Sequence, residues 1–315
     1  MKRNIFFRFI TNNPQLIILI LLFIVFTILF PNFLTTRNII NILNRSSTIA
    51  LASCGLALVV IGGNLDLSIG SLFSLTLGVS LSCTHYSTTL AVIAPLVIAL
   101  AIGLANGLII NRFNVSSMIV TLGSYTAIRG FVEFYRKGNI IVGAPFTSYS
   151  AITDFRFLGI PSSIYIFIII ACIFQFLLKR TTFGRKLIYQ GVNSEAAIAA
   201  GINVGTVTII SFMLCSLLIG IATVLHGARL SQGSTTTGGL DLLFDALTAI
   251  LIGGISLNGG KGSVVNAVIG VLLLVVIVNG LTLLNVPFGW RYIAQGLLIL
   301  IAIMADVLLR GRNEN

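Results

Sequence analysis

Long apolar runs separated by short polar or glycine-rich stretches fill most of the 315-residue chain. Each run approaches the roughly 20 residues that a helix needs to cross the hydrocarbon core of a bilayer. Spanning segments are helices or barrel strands, and barrel strands of about ten alternating residues are shorter than these runs. The pattern predicts an all-α, polytopic membrane protein with a single transmembrane domain over residues 1–315. About ten transmembrane helices are predicted, at residues 14–31, 46–62, 68–84, 89–110, 116–134, 161–178, 206–228, 242–258, 263–284 and 291–309.

Composition agrees with a membrane protein. Hydrophobic residues make up 57% of the chain and charged residues 9%, whereas soluble domains carry about 25% charged residues. The net charge of +11 would suggest a nucleic-acid partner in a soluble protein. Here the basic residues stand at the ends of apolar runs, as the cytoplasmic bias of basic loops predicts. We therefore expect contact with membrane lipid and no nucleic acid.

The basic cluster KRTTFGRK, Lys179 to Lys186, lies between two predicted spans. Basic residues favour the cytoplasmic side, so the loop at about 179–205 is predicted to be cytoplasmic. An even number of spans places the basic start MKRNIFFRF and the RGR near the end on that same side. The apolar run at residues 15–30 is longer than a signal-peptide core and is followed by no small-residue cleavage site, which predicts an uncleaved first span. Both termini are predicted to be cytoplasmic.

Residues that commonly carry chemistry are few. The four cysteines lie in or beside apolar runs without a C-x-x-C pair, which predicts buried, inert thiols. His85 and His226 stand apart, so no metal site is indicated. We expect no catalytic residue, metal or cofactor, and therefore no enzyme activity in this chain. The cysteines are Cys54, Cys83, Cys172 and Cys215.

The stretch GGISLNGGKGS, Gly253 to Ser263, has the composition of a phosphate-binding loop but the wrong spacing. The leading glycine of G-x-x-x-x-G-K-[ST] would fall at Ile255, and Gly262 stands where the metal-binding hydroxyl is needed. The run before it is a predicted membrane span and not a sheet strand. Nucleotide binding is therefore not expected in this loop.

A second stretch, GGNLDLSIGS from Gly62 to Ser71, interrupts two apolar runs in the first half of the chain as GGISLNGGKGS does in the second. Such paired interruptions are typical of transport sites built from broken helices. A carboxylate at Asp66 is costly near lipid unless it is paired or hydrated. The alternative is two tight turns between spans. The candidate translocation-pathway or helix-break residues are Asn64, Asp66, Ser68, Gly70, Ser71, Gly253, Gly254, Ser256, Asn258, Gly259 and Gly260.

Other polar residues within apolar runs have simpler interpretations. Asp245 and Asp306 lie near predicted span ends, where hydration or snorkelling is expected. Glu133 is four residues from Arg129, which is the spacing of a helical ion pair. Interhelical hydrogen bonds are expected for the three asparagines with glycine neighbours, namely Asn106, Asn266 and Asn279.

The predicted cytoplasmic loop contains the pattern of a short helix. Ser194 can cap it, Glu195 in the first turn is favourable for the helix dipole, and Gly201 can end it. Its alanines would give a small face for docking into the groove of a partner. A helix lying on the membrane surface and a plain linker are the alternatives.

Several motifs in order resemble one family over about residues 30 to 308. EAAxxxG, from Glu195 to Gly201, resembles the EAA loop of permease subunits of ABC importers. The upstream T-x-F-G-R, with Gly191 and Asn193, is similar to the branch that serves ribose, xylose, galactose and the autoinducer-2 signal. GGNLDLSIGS resembles the "GGIDLSVGS" element of that branch, with Leu65 in place of its isoleucine. The stretch from Asp245 through GGISLNGGKGS to Gly270 resembles its "D-x-x-A-x-x-x-x-GG-x-S-x-x-GG-x-G" element.

The resemblance implies the permease of a type II-like ABC importer for a monosaccharide in a bacterial inner membrane. It implies a second permease copy, identical or not, and separate ATPase subunits that hydrolyse ATP. A periplasmic sugar-binding protein would deliver the substrate, and the EAA-like loop would be a coupling helix. The residues that the resemblance assigns to ATPase coupling are Thr182, Gly184, Arg185, Glu195, Ala196, Ala197 and Gly201.

Three other functions are compatible with a helical membrane protein. An ion-coupled secondary transporter would need no ATPase, and the EAA-like loop and the scarcity of membrane carboxylates disfavour it. An ABC permease for branched-chain amino acids shares the helical scaffold. A structural or receptor-like membrane subunit would move no substrate. The sequence does not indicate which sugar is carried.

Overall fold

The computed structural model describes residues 14–144 and 148–311, and the chain in these ranges is almost entirely helical. The helices are α1 Pro14–Leu29, α2 Thr36–Ile61, α3 Ile69–Cys83, α4 Thr88–Phe113, α5 Ser117–Arg136, α6 Ala151–Asp154, α7 Ser162–Arg180, α8 Thr182–Val192, α9 Ser194–Ala199, α10 Val204–Leu230, α11 Gly239–Ile252, α12 Val264–Leu283 and α13 Phe288–Gly311. Four two-residue strands are β1 Ile141–Val142, β2 Arg156–Phe157, β3 Ile160–Pro161 and β4 Gln232–Gly233.

Every predicted span contains a helix, so the predicted all-α membrane class is confirmed. Within the described residues, α2, α4, α7, α10 and α12 are long and apolar enough to cross a bilayer, and α1, α3 and α13 contain shorter apolar helices. Two predicted boundaries are wrong. The helix predicted from residue 46 begins at Thr36, because Thr35 caps it by accepting a hydrogen bond from the amide of Asn38. The helix predicted to reach residue 258 ends at Ile252.

Helix α2 lies at the centre of the bundle, and every residue from Ser46 to Ile61 is buried. It packs against α7, α10, α11 and α12. Its buried half is rich in serine, alanine and glycine, and such small residues let membrane helices approach closely. A Cβ built on Gly55 would lie 3.0 Å from the backbone of Cys215, so α2 and α10 pack almost backbone to backbone.

Asparagine pairs join helices as expected. Asn38 and Asn279 exchange two side-chain hydrogen bonds of 3.1 and 2.8 Å between α2 and α12. Asn266 donates to the carbonyl of Gly253 at 2.9 Å. The predicted helical ion pair between Arg129 and Glu133 is present, with an N–O distance of 2.9 Å.

The long segment between α5 and α7 folds back over the bundle. Strand β1 pairs with β4 and β2 with β3, both antiparallel. Tyr149 is 1% exposed, and its hydroxyl bonds the Ser80 hydroxyl at 2.6 Å and the Val224 carbonyl at 3.1 Å. This buried tyrosine fixes the segment against the ends of α3 and α10.

The four cysteines are free thiols. Cys54 and Cys215 are buried as predicted, and Cys83 is half-buried. Cys172 is exposed, so the prediction of burial is wrong there, because its position on α7 faces away from the bundle.

Candidate functional site

Both glycine-rich breaks end their helices with the same backbone motif. Gly63 and Gly254 each have a φ of +81°, which is unfavourable for residues with a side chain. In both, the amide of this glycine bonds the carbonyl three residues earlier, and the next amide bonds the carbonyl five residues earlier. These are Schellman-type ends of α2 and α11. The similarity predicted between the two stretches is therefore present in their backbone geometry.

The two breaks meet each other and the end of α8. The amide of Gly260 donates to the carbonyl of Ile61 at 2.8 Å. A Cβ on Gly259 would lie 2.9 Å from the Cα of Gly63. A Cβ on Gly191, in α8, would overlap the carbonyl oxygen of Ile61 and lie 2.5 Å from the amide of Gly260. Backbone contact of this kind is possible only without side chains. We call Gly63, Gly191, Gly259 and Gly260 the glycine junction.

Helix α8 is fixed to the bundle along its inner face. Thr181 caps it by accepting a hydrogen bond from the amide of Gly184 at 3.2 Å. A Cβ on Gly184 would overlap the backbone of Leu178 at the end of α7, so this glycine permits a sharp corner between the two helices. At the other end of α8, the Gln190 amide donates to the carbonyl of Gly62 at 3.1 Å and to the Thr208 hydroxyl at 2.9 Å.

The predicted short helix is α9, but two details differ from the prediction. Asn193 rather than Ser194 caps it, because the Asn193 side chain accepts from the Ala196 amide at 2.9 Å. Gly201, with a φ of +77°, follows its end as predicted. Ala197 is buried, so the predicted exposed alanine face is incomplete.

The exposed apolar side chains of α8 and α9 are larger than the alanines that the sequence suggested. Tyr189, Val192 and Ile198 are 59%, 68% and 61% exposed, and we call them the coupling surface. Among the residues assigned to ATPase coupling, Gly184 and Ala197 are buried. The exposed ones are Thr182, Arg185, Glu195, Ala196 and Gly201.

Asp66 is fully buried between α2 and α3. Its Oδ1 accepts from the Ser68 amide at 2.9 Å and from the Ser68 hydroxyl at 2.6 Å. That hydroxyl also accepts from Asn106 at 3.2 Å, which in turn accepts from Ser124 at 2.5 Å. These contacts tie the start of α3 to α4 and α5.

Hydroxyl side chains of α5 accept hydrogen bonds from backbone amides of the first break, which have no partner within a helix. The Leu65 amide donates to the Ser117 hydroxyl at 3.1 Å, and the Leu67 amide donates to the Thr121 hydroxyl at 3.0 Å. Freed backbone groups in a membrane protein need such side-chain partners. The segment from Asn64 to Ser68 therefore connects α2 to the start of α3 in a conformation that these hydrogen bonds stabilise.

A polar cavity of about 490 Å³ lies beneath α8 and α9. Asn64 and Asn258 line it, whereas Asp66, Ser68, Gly70 and Ser71 are buried away from it. Of the candidates in the second break, Gly253 and Ser256 are buried, Gly254 is exposed, and Gly259 and Gly260 are in the junction. The polar side chains around the cavity are those of Asn64, Asn111, Asn114, Ser116, Ser117, Gln190, Asn193, Ser194, Thr208 and Asn258.

The starts of the short helices α3 and α11 meet inside the bundle. A Cβ on Gly70 would overlap the carbonyl of Gly239. Ser74 donates to the Thr237 carbonyl at 2.7 Å and accepts from the Gly239 amide at 3.3 Å. A second cavity, of about 330 Å³, adjoins this meeting point, and we call it the charged chamber. Its lining residues are Arg45, Thr48, Ile49, Phe73, His226, Arg229, Gly238, Asp241, Leu242 and Asp245.

The charged chamber was not predicted from the sequence. Asp245 was predicted to lie near a span end, but it is the seventh residue of α11, which begins at Gly239. A signal was present: GGLDLL from Gly238 nearly repeats the GGNLDL from Gly62. Gly238 and Gly239 therefore lie at the start of the short helix α11, as Gly62 and Gly63 precede α3, in addition to the break that begins at Gly253.

Comparison with known proteins places the chain in a family. The family model described as "Branched-chain amino acid transport system / permease component" matches residues 38–303. The chain belongs to this permease family.

Relatives of the permease extend the match to nearly its full length. It is 35% identical over 302 residues to the ribose import permease protein RbsC of Escherichia coli K12, which covers 94% of this chain and 93% of that protein. It is 35% identical over 292 residues to RbsC of Bacillus subtilis, covering 91% and 90%. It is 30% identical over 310 residues to the L-arabinose ABC transporter permease protein AraH of Azospirillum brasilense, covering 98% and 91%. No solved structure matches the permease.

Gly191→Ala should destabilise the permease. An added methyl group would overlap the Ile61 carbonyl, and overpacking of this kind costs about 1–3 kcal/mol. The apparent melting temperature in detergent should fall. Gly123→Ala in α5 is the matched control, because a Cβ there meets nothing within 4 Å and alanine favours helix. Equal melting temperatures for the two variants would contradict the junction.

Asp66→Ala should reduce the amount of folded permease, whereas Asp66→Asn should retain most of it. Alanine leaves the amide and hydroxyl of Ser68 without their acceptor, at a cost of about 1–3 kcal/mol, while asparagine keeps an acceptor oxygen. The yield of monodisperse protein after size-exclusion chromatography measures the difference. Full transport and normal protein level in Asp66→Ala would argue against both a structural and a pathway role.

Proposed function

We propose that the chain is the permease subunit of an ATP-driven importer that carries a monosaccharide across a bacterial inner membrane. The observation that carries this proposal is the 35% identity to a ribose import permease over 94% of the chain. Similarity to L-arabinose permeases supports a pentose or a related sugar. A branched-chain amino acid is the second candidate substrate, because the family description names that class. The whole chain forms one transmembrane domain in this proposal.

The permease itself does no chemistry in this proposal. In the loop GGISLNGGKGS, which resembles a phosphate-binding loop in composition, the amide of Gly260 is already hydrogen-bonded to the carbonyl of Ile61. A phosphate loop needs its amides free to point at the ligand. ATP hydrolysis therefore belongs to a separate ATPase subunit.

The coupling surface is the contact that this subunit would use. Tyr189, Val192 and Ile198 are exposed apolar side chains on α8 and α9, and the same two helices carry the exposed Arg185 and Glu195. An exposed apolar patch with a polar rim is typical of a protein–protein contact. Because α8 packs through the glycine junction against the end of α2 and against the loop that follows α11, a push on it would reach both.

The orientation follows from the same contact. With α8 and α9 cytoplasmic, the opposite end of the bundle receives the sugar from a periplasmic binding protein, and both termini lie inside. Lys2, Arg3, Arg8 and Arg312 support this placement by their charge, and they lie outside the described residues. A second permease copy completes the transporter.

Ile198→Asp should abolish co-purification of the ATPase subunit while leaving the permease folded, because a charge would enter an apolar contact. Leu158→Asp is the matched control, since Leu158 is 84% exposed but lies in the β2–β3 turn, away from α8 and α9. Glu195→Ala and Gly201→Val should weaken the same contact or its coupling. Unchanged uptake and unchanged co-purification in these variants would contradict the coupling role.

Transport by the reconstituted permease decides the function. We expect proteoliposomes containing the permease, its ATPase and its binding protein to import radiolabelled D-ribose or L-arabinose only with ATP inside, and a protonophore to have no effect. Import of L-leucine alone would support the second candidate. Import abolished by the protonophore but independent of ATP would indicate a secondary transporter, and absence of any flux would indicate a structural or receptor-like role.

A further inference from the structure

The charged chamber lies at the end of the bundle opposite the coupling surface. Helix α10 begins beside α9 at Val204 and ends at Leu230, and His226 and Arg229 stand in its last turns. At 1.5 Å per residue, His226 is roughly 33 Å along the helix from Val204. Under the proposed orientation the chamber is on the side where substrate arrives.

The chamber holds two cations and two carboxylates. Arg45 and Arg229 face it from α2 and α10, and Asp241 and Asp245 face it from α11. Among the described side chains none of these four forms an ion pair within 4 Å, so their charges are spread around the wall. Ionisable residues inside a membrane bundle are costly and usually mark a substrate path.

Hydrogen-bonding groups of the chamber remain available. Gln295 bonds only one oxygen of Asp245, at 2.9 Å, whereas the Tyr292 hydroxyl lies 3.2 Å from both oxygens of Asp241. The Nδ1 of His226 and the Nε of Arg229 are buried without a hydrogen-bond partner among the described residues. The His226 ring meets Phe73 edge to face, with centroids 5.3 Å apart, so an aromatic wall lies beside these polar groups.

The wall chemistry fits a neutral polyol. Balanced charge gives no preference for an anion or a cation, and the volume of about 330 Å³ is within the range of small-molecule sites, about 300–1,000 Å³. Six of the ten lining side chains are polar or charged and come from three helices. A sugar presents hydroxyls around its whole ring and can bond all sides. An amino acid has its polar groups at one end and would leave several wall groups unpaired, which is penalised.

We propose that the charged chamber binds the monosaccharide in transit, a step that rests on the proposed function. The chamber is also connected through α11 to the region where the ATPase subunit is proposed to bind. Helix α11 carries Asp241 and Asp245 in its first half and ends at Ile252, where the second break, which contains Gly259 and Gly260, begins. Helix α3 starts against α11 at Gly70. A displacement of the junction therefore changes the spacing of the chamber's walls.

The experiment measures D-ribose uptake and ATP hydrolysis in proteoliposomes of the complete importer. Asp245→Leu and Arg229→Met remove hydrogen-bonding groups from the wall, and loss of a bond to a charged group is worth about tenfold or more. We expect uptake to fall at least about tenfold while the stimulation of ATP hydrolysis by sugar-loaded binding protein stays near the wild-type value. Glu133→Gln, which removes a carboxylate from α5 outside the chamber, should transport normally.

Removing a charge from a membrane helix favours insertion, so folding of these variants should not suffer. Thr48→Val gives a third test with the smallest change in volume. Wild-type uptake in every chamber variant, or an equal loss of uptake in Glu133→Gln, overturns the proposal that the chamber binds the sugar. Either result leaves the proposed function intact. Failure of the wild-type complex to import ribose or L-arabinose, with uptake of L-leucine instead, overturns the proposed function itself.

Discussion

Direct backbone contact at the glycine junction is the constraint on which the rest of the structure depends. The Gly260 amide bonds the Ile61 carbonyl at 2.8 Å, and Gly191 presses against the same carbonyl. Side chains at these positions would separate the end of α2 and the loop after α11 from α8. Because the contact is made by backbone, it has little room to yield. A force applied to α8 would therefore reach the end of α2 and the loop that follows α11 with little loss between them.

The first break, which begins at Gly62 beside this junction, is followed by the short helix α3. The chain leaves α2 at the Schellman turn of Gly63 and passes through a short non-helical segment inside the bundle before α3 begins at Ile69. Such a segment is stable in an apolar setting only because Ser117, Thr121 and Asp66 bond the groups that no helix satisfies. The buried carboxylate of Asp66 thus serves the break itself, and the first helix start is held where it can meet that of α11.

The length of the apolar runs predicted the helices well, because a membrane span too long to be a barrel strand must be a helix with an apolar surface. It could not place the chamber. Asp245 looks like an end-of-span charge in the sequence, and only the meeting of Gly70 with Gly239 shows that α11 starts inside the bundle. The exposed face of α9 was also misjudged, since Ala197 points inward and helical spacing alone does not tell which face the bundle covers.

Glycine serves opposite purposes in a nucleotide loop and in this loop. A phosphate site leaves its amides unbonded and aimed at an anion, whereas Gly259 and Gly260 bring their backbone against another helix. Lys261 remains exposed beside them, where it adds positive charge to the face that also carries Lys179, Arg180, Arg185 and Lys186. A glycine-rich composition that resembles a phosphate-binding loop here serves to bring backbone segments together.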